Sequence, residues 1–220
     1  KHWGLPLLRL DLGTIFAGRH APDAALHRAL RIAEALSPCI LWTDEIEKGF
    51  GPDASGVTQR VLGTVLTWMQ EKQSEVFFVA TANEVAQLPP ELLRKGRFDE
   101  LFFVDLPDRH ARAQIFAIHL RKRQRRPGDF DLAELAKRSE RFSGAEIEQV
   151  IVAALYEAFA DGRELAMSDL LEVIGETVPL YDTREDAIKA LREWAANRTR
   201  FASKDLRLTD FFSEDDGTVR

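Results

Sequence analysis

Apolar positions follow two regimes that change over near Pro107. In the first, short apolar runs alternate with stretches of helical spacing. Leu5 to Leu10 reads as a strand, and Pro22-Asp23 opens a helix whose apolar residues Leu26, Ala29, Leu30, Ala33 and Leu36 recur at intervals of three and four. Ser37-Pro38 stops it. Cys39 to Thr43 is a near-continuous apolar run ending in acids, the pattern of a strand buried on both faces of a parallel sheet. Val57, Val61, Leu62, Val65, Leu66 and Met69 mark the face of another helix. Val76 to Ala80 reads as a third buried strand and Leu101 to Val104 as a shorter fourth. This alternation predicts an α/β fold, a parallel sheet with helices on its faces.

Beyond Leu106-Pro107-Asp108 the pattern is helical only. Asp108 is placed to cap a helix over Arg109 to Arg123, and Asp131 to cap the next. Ser143-Gly144-Ala145-Glu146 has the form of a capping box and precedes the stripe Ile147, Val150, Ile151, Ala154, Leu155. Thr183 to Asn197 reads as a further helix. The expected organisation is an α/β domain over 1–107, a small all-helical domain over 108–202 and an acidic tail over 203–220, which lacks periodicity and is expected to be disordered.

Composition narrows the class. With 220 residues and 45% hydrophobic content the chain can bury one substantial core, or one core and a smaller satellite. A formal net charge of −6 with 30% charged residues predicts a soluble surface and no general electrostatic footprint for nucleic acid. Gly4, Pro6 and Arg9 break the opening apolar stretch, so it does not read as a targeting peptide, and no run is long enough for membrane insertion. The single cysteine, Cys39, sits inside an apolar run, which fits a reducing compartment.

Three motifs carry chemistry. Ile40-Leu41-Trp42-Thr43-Asp44-Glu45 is an apolar strand that delivers two adjacent acids at its C-terminal end, the edge where ligands of open α/β sheets bind. In a P-loop nucleotide hydrolase the first acid organises magnesium, usually through water, and the second orients or deprotonates the attacking water. Taken alone, the pair also describes a strand that ends in solvated carboxylates. Val79-Ala80-Thr81-Ala82-Asn83 ends a second strand in an amide able to hold that water opposite Glu45. Leu88 to Asp99 contains Arg94-Lys95-Gly96-Arg97-Phe98, two arginines three apart on a loop with a glycine and an aromatic anchor. Such a loop can project guanidinium groups toward a neighbour's γ-phosphate.

The run from Trp3 to about Ser203 resembles the AAA ATPases, and Pro38 to Gly49 together with Arg94 to Glu100 is similar to a branch known from plastid genomes and cyanobacteria. The resemblance implies a parallel-sheet P-loop domain followed by a helical lid, with ATP and Mg2+ as cofactors. It assigns Asp44 and Glu45 the Walker B roles, with Asp44 at the metal through water, Asn83 the sensor role, and Arg94 and Arg97 the arginine-finger positions. Gly144 and Ala145, in Phe142 to Ile147, match the lid motif whose backbone packs against nucleotide. A homo-oligomeric ring remodelling a macromolecule, a protein rather than a nucleic acid, is the implied assembly, in the cytoplasm or a plastid stroma. The alternative is a nonhydrolysing adaptor that lends Arg94 and Arg97 to an active partner; a third reading is a nucleic-acid remodelling ATPase.

The family's first strand and Walker A loop would precede Trp3 and are absent from this chain, so the expectation is a truncated sequence, inactive alone. Gly13-Thr14-Ile15-Phe16-Ala17-Gly18-Arg19-His20 imitates the spacing of a phosphate loop. Bulky Ile15 and Phe16 suit that role poorly, and imidazole is a poor magnesium ligand. In the family this segment leads into the loop facing the ring pore, where Phe16 would touch a threaded substrate. The basic run Arg121 to Arg126 sits at a helix C-terminus and is most simply a solvated end that complements the helix dipole.

Overall fold

The computed structural model describes residues 3–17, 21–50, 56–94 and 96–203. The expected tail falls almost wholly outside them, as do Gly18, Arg19, His20 and Lys95. Two compact units divide the chain, Lys1–Asp99 and Glu100–Arg220.

The first unit is built from β1 (Leu7–Arg9), α1 (Leu12–Ala17), α2 (Pro22–Ala35), β2 (Cys39–Thr43), α3 (Gly56–Glu71) and β3 (Val76–Ala80). The three strands form a parallel sheet in the order β1-β2-β3, with Leu8 opposite Leu41 and Thr43 opposite Ala80. In central β2, Cys39, Leu41 and Thr43 are buried while Ile40 and Trp42 are only partly covered. Arg9 lies over the Trp42 ring at 5.4 Å. Leu26, Leu30 and Ala33 of α2 and Val61, Val65 and Leu66 of α3 join the sheet residues in one core.

Two expectations need correction here. Only Val76 of β3 is fully buried and Phe77 is exposed, because β3 ends the three-stranded sheet among the described residues. Residues 12 to 17, read from sequence as no regular element, form α1, with Leu12 and Ile15 in the core.

In the second unit β4 (Phe102–Phe103) pairs in parallel with β5 (Arg200–Phe201), so the fourth strand does not extend the β1-β2-β3 sheet. Phe103 meets Phe201 edge-on at 5.5 Å, and Asp105 binds the Arg192 guanidinium through both carboxylate oxygens at 2.9–3.0 Å. These contacts draw residues 100–107 into the second compact unit, which begins at Glu100.

Helices α4 (Arg109–Lys122), α5 (Leu132–Arg138), α6 (Gly144–Ala160) and α7 (Met167–Glu176) pack around Phe116, Leu120, Leu135, Ile147, Ile151 and Leu170. Their starts follow the local chemistry. Asp108 accepts from the Ala111 amide at 2.6 Å, Asp131 from the Ala133 and Glu134 amides at 3.0 Å, and Ser143 with Glu146 completes the capping box. The helix expected over Thr183 to Asn197 is α9 (Glu185–Ala196), and a short helix α8 (Leu180–Thr183) precedes it.

Two of the five cations in the basic run form ion pairs within this unit. Arg123 pairs with Glu148 at 3.0 Å and Arg125 with Glu164 at 2.9 Å. The hydrogen bond from Arg123 holds the Glu148 carboxyl below the ordinary glutamate range.

Candidate active site

Asp44 and Glu45 leave the C-terminal end of β2, and Thr81 to Asn83 leave the same end of its parallel neighbour β3. The Thr43–Ala80 register therefore brings both polar segments to one sheet edge. Asn83 Nδ2 donates to Glu45 Oε1 at 3.0 Å. Lys48 donates to Glu45 Oε2, so both carboxylate oxygens are engaged. The bond to Glu45 raises the Lys48 ammonium above the ordinary lysine range, partly opposed by desolvation. Lys48 is largely exposed, so the pair is screened and readily exchanged.

Glu45 adopts φ 50° and ψ 56°, the left-handed region. For a residue with a side chain this costs about 1–2 kcal/mol and needs support from its surroundings. Support comes from Thr81, whose hydroxyl accepts the Glu45 amide at 3.0 Å and donates to Asp44 Oδ1. The Ile46 amide donates to the Thr81 carbonyl at 2.9 Å, and the Thr81 amide to the Thr43 carbonyl at 3.1 Å. Beneath them Glu47 is 4% exposed, and its Oε1 accepts the Asn83 amide at 3.0 Å. Buried Gly49 lets Leu12 approach so closely that an added Cβ would lie 2.6 Å from Leu12 Cδ1.

Thr81, Glu47 and Lys48 were not singled out in the sequence. Their signal was faint, a polar residue two before Asn83 and two charges just after the acid pair. Each gains significance only through a partner brought in by folding or by the turn after β2.

The arginine loop is held by Leu92, 1% exposed, and by Phe98 stacked on Phe78 at 5.7 Å. Gly96, at φ 91°, occupies a conformation that a side chain would strain. Arg94 is exposed. Arg97 is half-buried and turned back, Nη1 donating to the Glu91 carbonyl.

Gly144 and Ala145 form the first turn of α6 in the second unit. Its capping residue Glu146 is partly buried, which favours the neutral acid. Hydrogen bonds from Ser143 and the Leu180 amide outweigh that and hold the carboxyl below the ordinary range.

Residues Gly13 to Ala17 lie within α1, and Ile15 donates its amide to Asp11 at 3.2 Å. Gly18, Arg19 and His20, the rest of that motif, lie outside the described residues. Phe16 is partly buried against the core. A recess of about 790 Å3 between α2 and α3 includes none of Asp44, Glu45 and Asn83. Its Trp68 and Glu34 side chains already bond each other at 2.9 Å.

Among the described residues no group of three or more acidic, histidine or cysteine side chains could enclose a metal ion. One carboxylate at an exposed strand end, with one oxygen oriented by Thr81, fits an ion such as Mg2+, which keeps most of its waters and takes few protein ligands.

This pairing of a parallel α/β unit carrying acids and an amide at its strand ends with a mainly helical unit is that of a nucleotide hydrolase with a helical lid. Residues 1–106 match the family described as ATPase family associated with various cellular activities (AAA), and residues 129–172 match the AAA+ lid domain. The chain belongs to the AAA ATPase family.

Among curated proteins it is 48% identical over 210 residues to an uncharacterized AAA domain-containing protein, ycf46, of Guillardia theta, covering 92% of this chain and 42% of that protein. It is 47% identical to the Pyropia yezoensis protein of the same name, covering 91% and 42%. It is also 33% identical to a proteasome-activating nucleotidase of Saccharolobus solfataricus, covering 81% and 48%. The chain thus spans less than half the length of each of these relatives. No helix among the described residues is long and apolar enough to cross a membrane.

Proposed function

We propose that this chain carries the hydrolytic half of a Mg-ATP hydrolase site. The observation that carries the reading is the 3.0 Å contact between Asn83 and Glu45 at the shared end of two parallel strands, beside a second acid. Glu45 is the base that orients and deprotonates the attacking water. Asn83 holds the same water through its amide, and Lys48 gives up its place on Glu45 Oε2 when water occupies it. Asp44 orients the waters of a magnesium ion, which when bound would neutralise phosphate charge. Arg94 and Arg97 serve a neighbouring subunit's nucleotide, Arg97 after releasing the Glu91 carbonyl. Gly144 and Ala145 offer the lid's backbone to nucleotide.

In the full-length protein this site would drive a homo-oligomeric ring that remodels a protein substrate, in the cytoplasm or a plastid stroma. Support for a protein substrate comes from the similarity to a proteasome-activating nucleotidase. Glu148 and Glu164 engage Arg123 and Arg125, two of the five cations on which a nucleic-acid role would rest.

The test is magnesium-dependent ATP hydrolysis by the full-length protein. Turnover that needs Glu45 supports the reading. Nucleotide binding without turnover, under conditions where rings are demonstrated by sedimentation, overturns it in favour of the adaptor.

A further inference from the structure

Glu45 stands in a backbone conformation that its own sequence does not favour, so another residue has to hold it there. The contacts converge on Thr81, 36 positions away. A strand-end threonine ordinarily offers its hydroxyl to one backbone group. Here that hydroxyl accepts the Glu45 amide at 3.0 Å and donates its proton to Asp44 Oδ1, joining the backbone of one acid to the carboxylate of the other. A hydroxyl has one proton to give and lone pairs to receive, so it can do both at once.

We propose that Thr81 is a positioning residue of the site, its hydroxyl setting the left-handed turn at Glu45 and the orientation of the Asp44 carboxylate without itself touching substrate. The catalytic consequence rests on the ATPase reading above; the structural consequence does not. Valine keeps the shape of threonine and loses the hydroxyl, alanine loses both, and serine keeps the hydroxyl alone. The brace therefore separates Thr81→Ser from Thr81→Val and Thr81→Ala.

Two measurements on the full-length protein test this. The first is amide hydrogen exchange at Glu45, where loss of one hydrogen bond should speed exchange roughly tenfold in the Val and Ala variants and leave the Ser variant near wild type. The second is steady-state ATPase kinetics. Here kcat should fall about tenfold or more in Thr81→Val and Thr81→Ala, with KM for Mg-ATP within about twofold, and Thr81→Ser should keep most of the wild-type rate.

Unchanged Glu45 exchange in either hydroxyl-less variant overturns the brace. So does a serine variant as impaired as the valine one, which would assign Thr81 to packing. If the wild-type protein shows no magnesium-dependent turnover, the ATPase reading fails and with it the catalytic half of the proposal. The exchange data then still decide the structural half.

Discussion

Glu45 and Asn83 are 38 positions apart in the chain, yet Asn83 Nδ2 lies 3.0 Å from Glu45 Oε1. The parallel register of β2 and β3 makes this contact, since Thr43 and Ala80 are partners and both chains leave the sheet at the same edge. Replacing Glu45 by Gln keeps the shape and removes the base. In the full-length protein Glu45→Gln should bind ATP with near-normal affinity and lose roughly a hundredfold or more in kcat. Equilibrium binding of a fluorescent nucleotide beside a steady-state ATPase assay separates the two effects. Lost binding with normal turnover at saturation would assign Glu45 another role.

The arginine loop gives a prediction in trans. Arg97→Ala should lower turnover roughly a thousandfold while leaving ATP binding intact, because an arginine finger acts on the developing charge of the transition state. Mixing Arg97→Ala with Glu45→Gln, each inactive alone, should restore part of the ATPase activity as interfaces form that pair an intact Glu45 with an intact Arg97. Demonstrated mixed rings with no recovery, together with Arg97-dependent turnover in a monomeric form, would place the arginine's action within its own subunit.

Gly49 predicts a packing effect. A Cβ there would lie 2.6 Å from Leu12 Cδ1 and 2.9 Å from Leu12 Cβ, and the latter atom is fixed by α1. Gly49→Ala should therefore cost about 1–3 kcal/mol, read as a lowered urea midpoint. In a double-mutant cycle the losses from Gly49→Ala and Leu12→Ala should be less than additive if the clash is the cause, because truncating Leu12 removes the 2.6 Å Cδ1 contact while its Cβ stays 2.9 Å away.

The lid carries a pH-dependent element. Asp169 is 3% exposed, accepts from Arg163 at 2.6 Å and from the Ala166 amide at 2.8 Å, and so caps α7. The Arg163 bond leads the causes that hold its carboxyl below the ordinary 3.8, against the opposing effect of burial. A lowered folded value contributes stability that is complete above 3.8 and is lost as pH falls through the depressed value. Asp169→Ala should lower the thermal midpoint at pH 7, and the gap between variant and wild type should narrow below pH 4. A gap that stays constant down to pH 2 would show that the charge of Asp169 contributes nothing.

The elements visible in the sequence are those whose local chemistry suffices. β2 and β3 were legible because five-residue apolar runs end in polar residues, and α4, α5 and α6 because Asp108, Asp131 and Ser143 cap them where the sequence places them. α7 was missed, although Leu170, Val173 and Ile174 mark its buried face. Its start depends on Asp169 reaching back to the Ala166 amide, in place of a capping side chain at the first position. The candidate acids, the amide and the arginines could be named from residue type and order.

Tertiary structure decided what those residues touch. No periodicity encodes the parallel register that sets Asn83 against Glu45, the left-handed turn that Thr81 holds, or the fold-back of Arg97 onto the Glu91 carbonyl. Nor could the apolar pair Phe102-Phe103 announce its partner. An apolar strand signals burial and not which strand lies beside it, and here the partner is Arg200-Phe201, nearly a hundred residues later. Hydrophobic pattern acts over the few residues of one turn or one strand, so it specifies elements; pairing and side-chain contact are set by the lowest free energy of the whole packed unit.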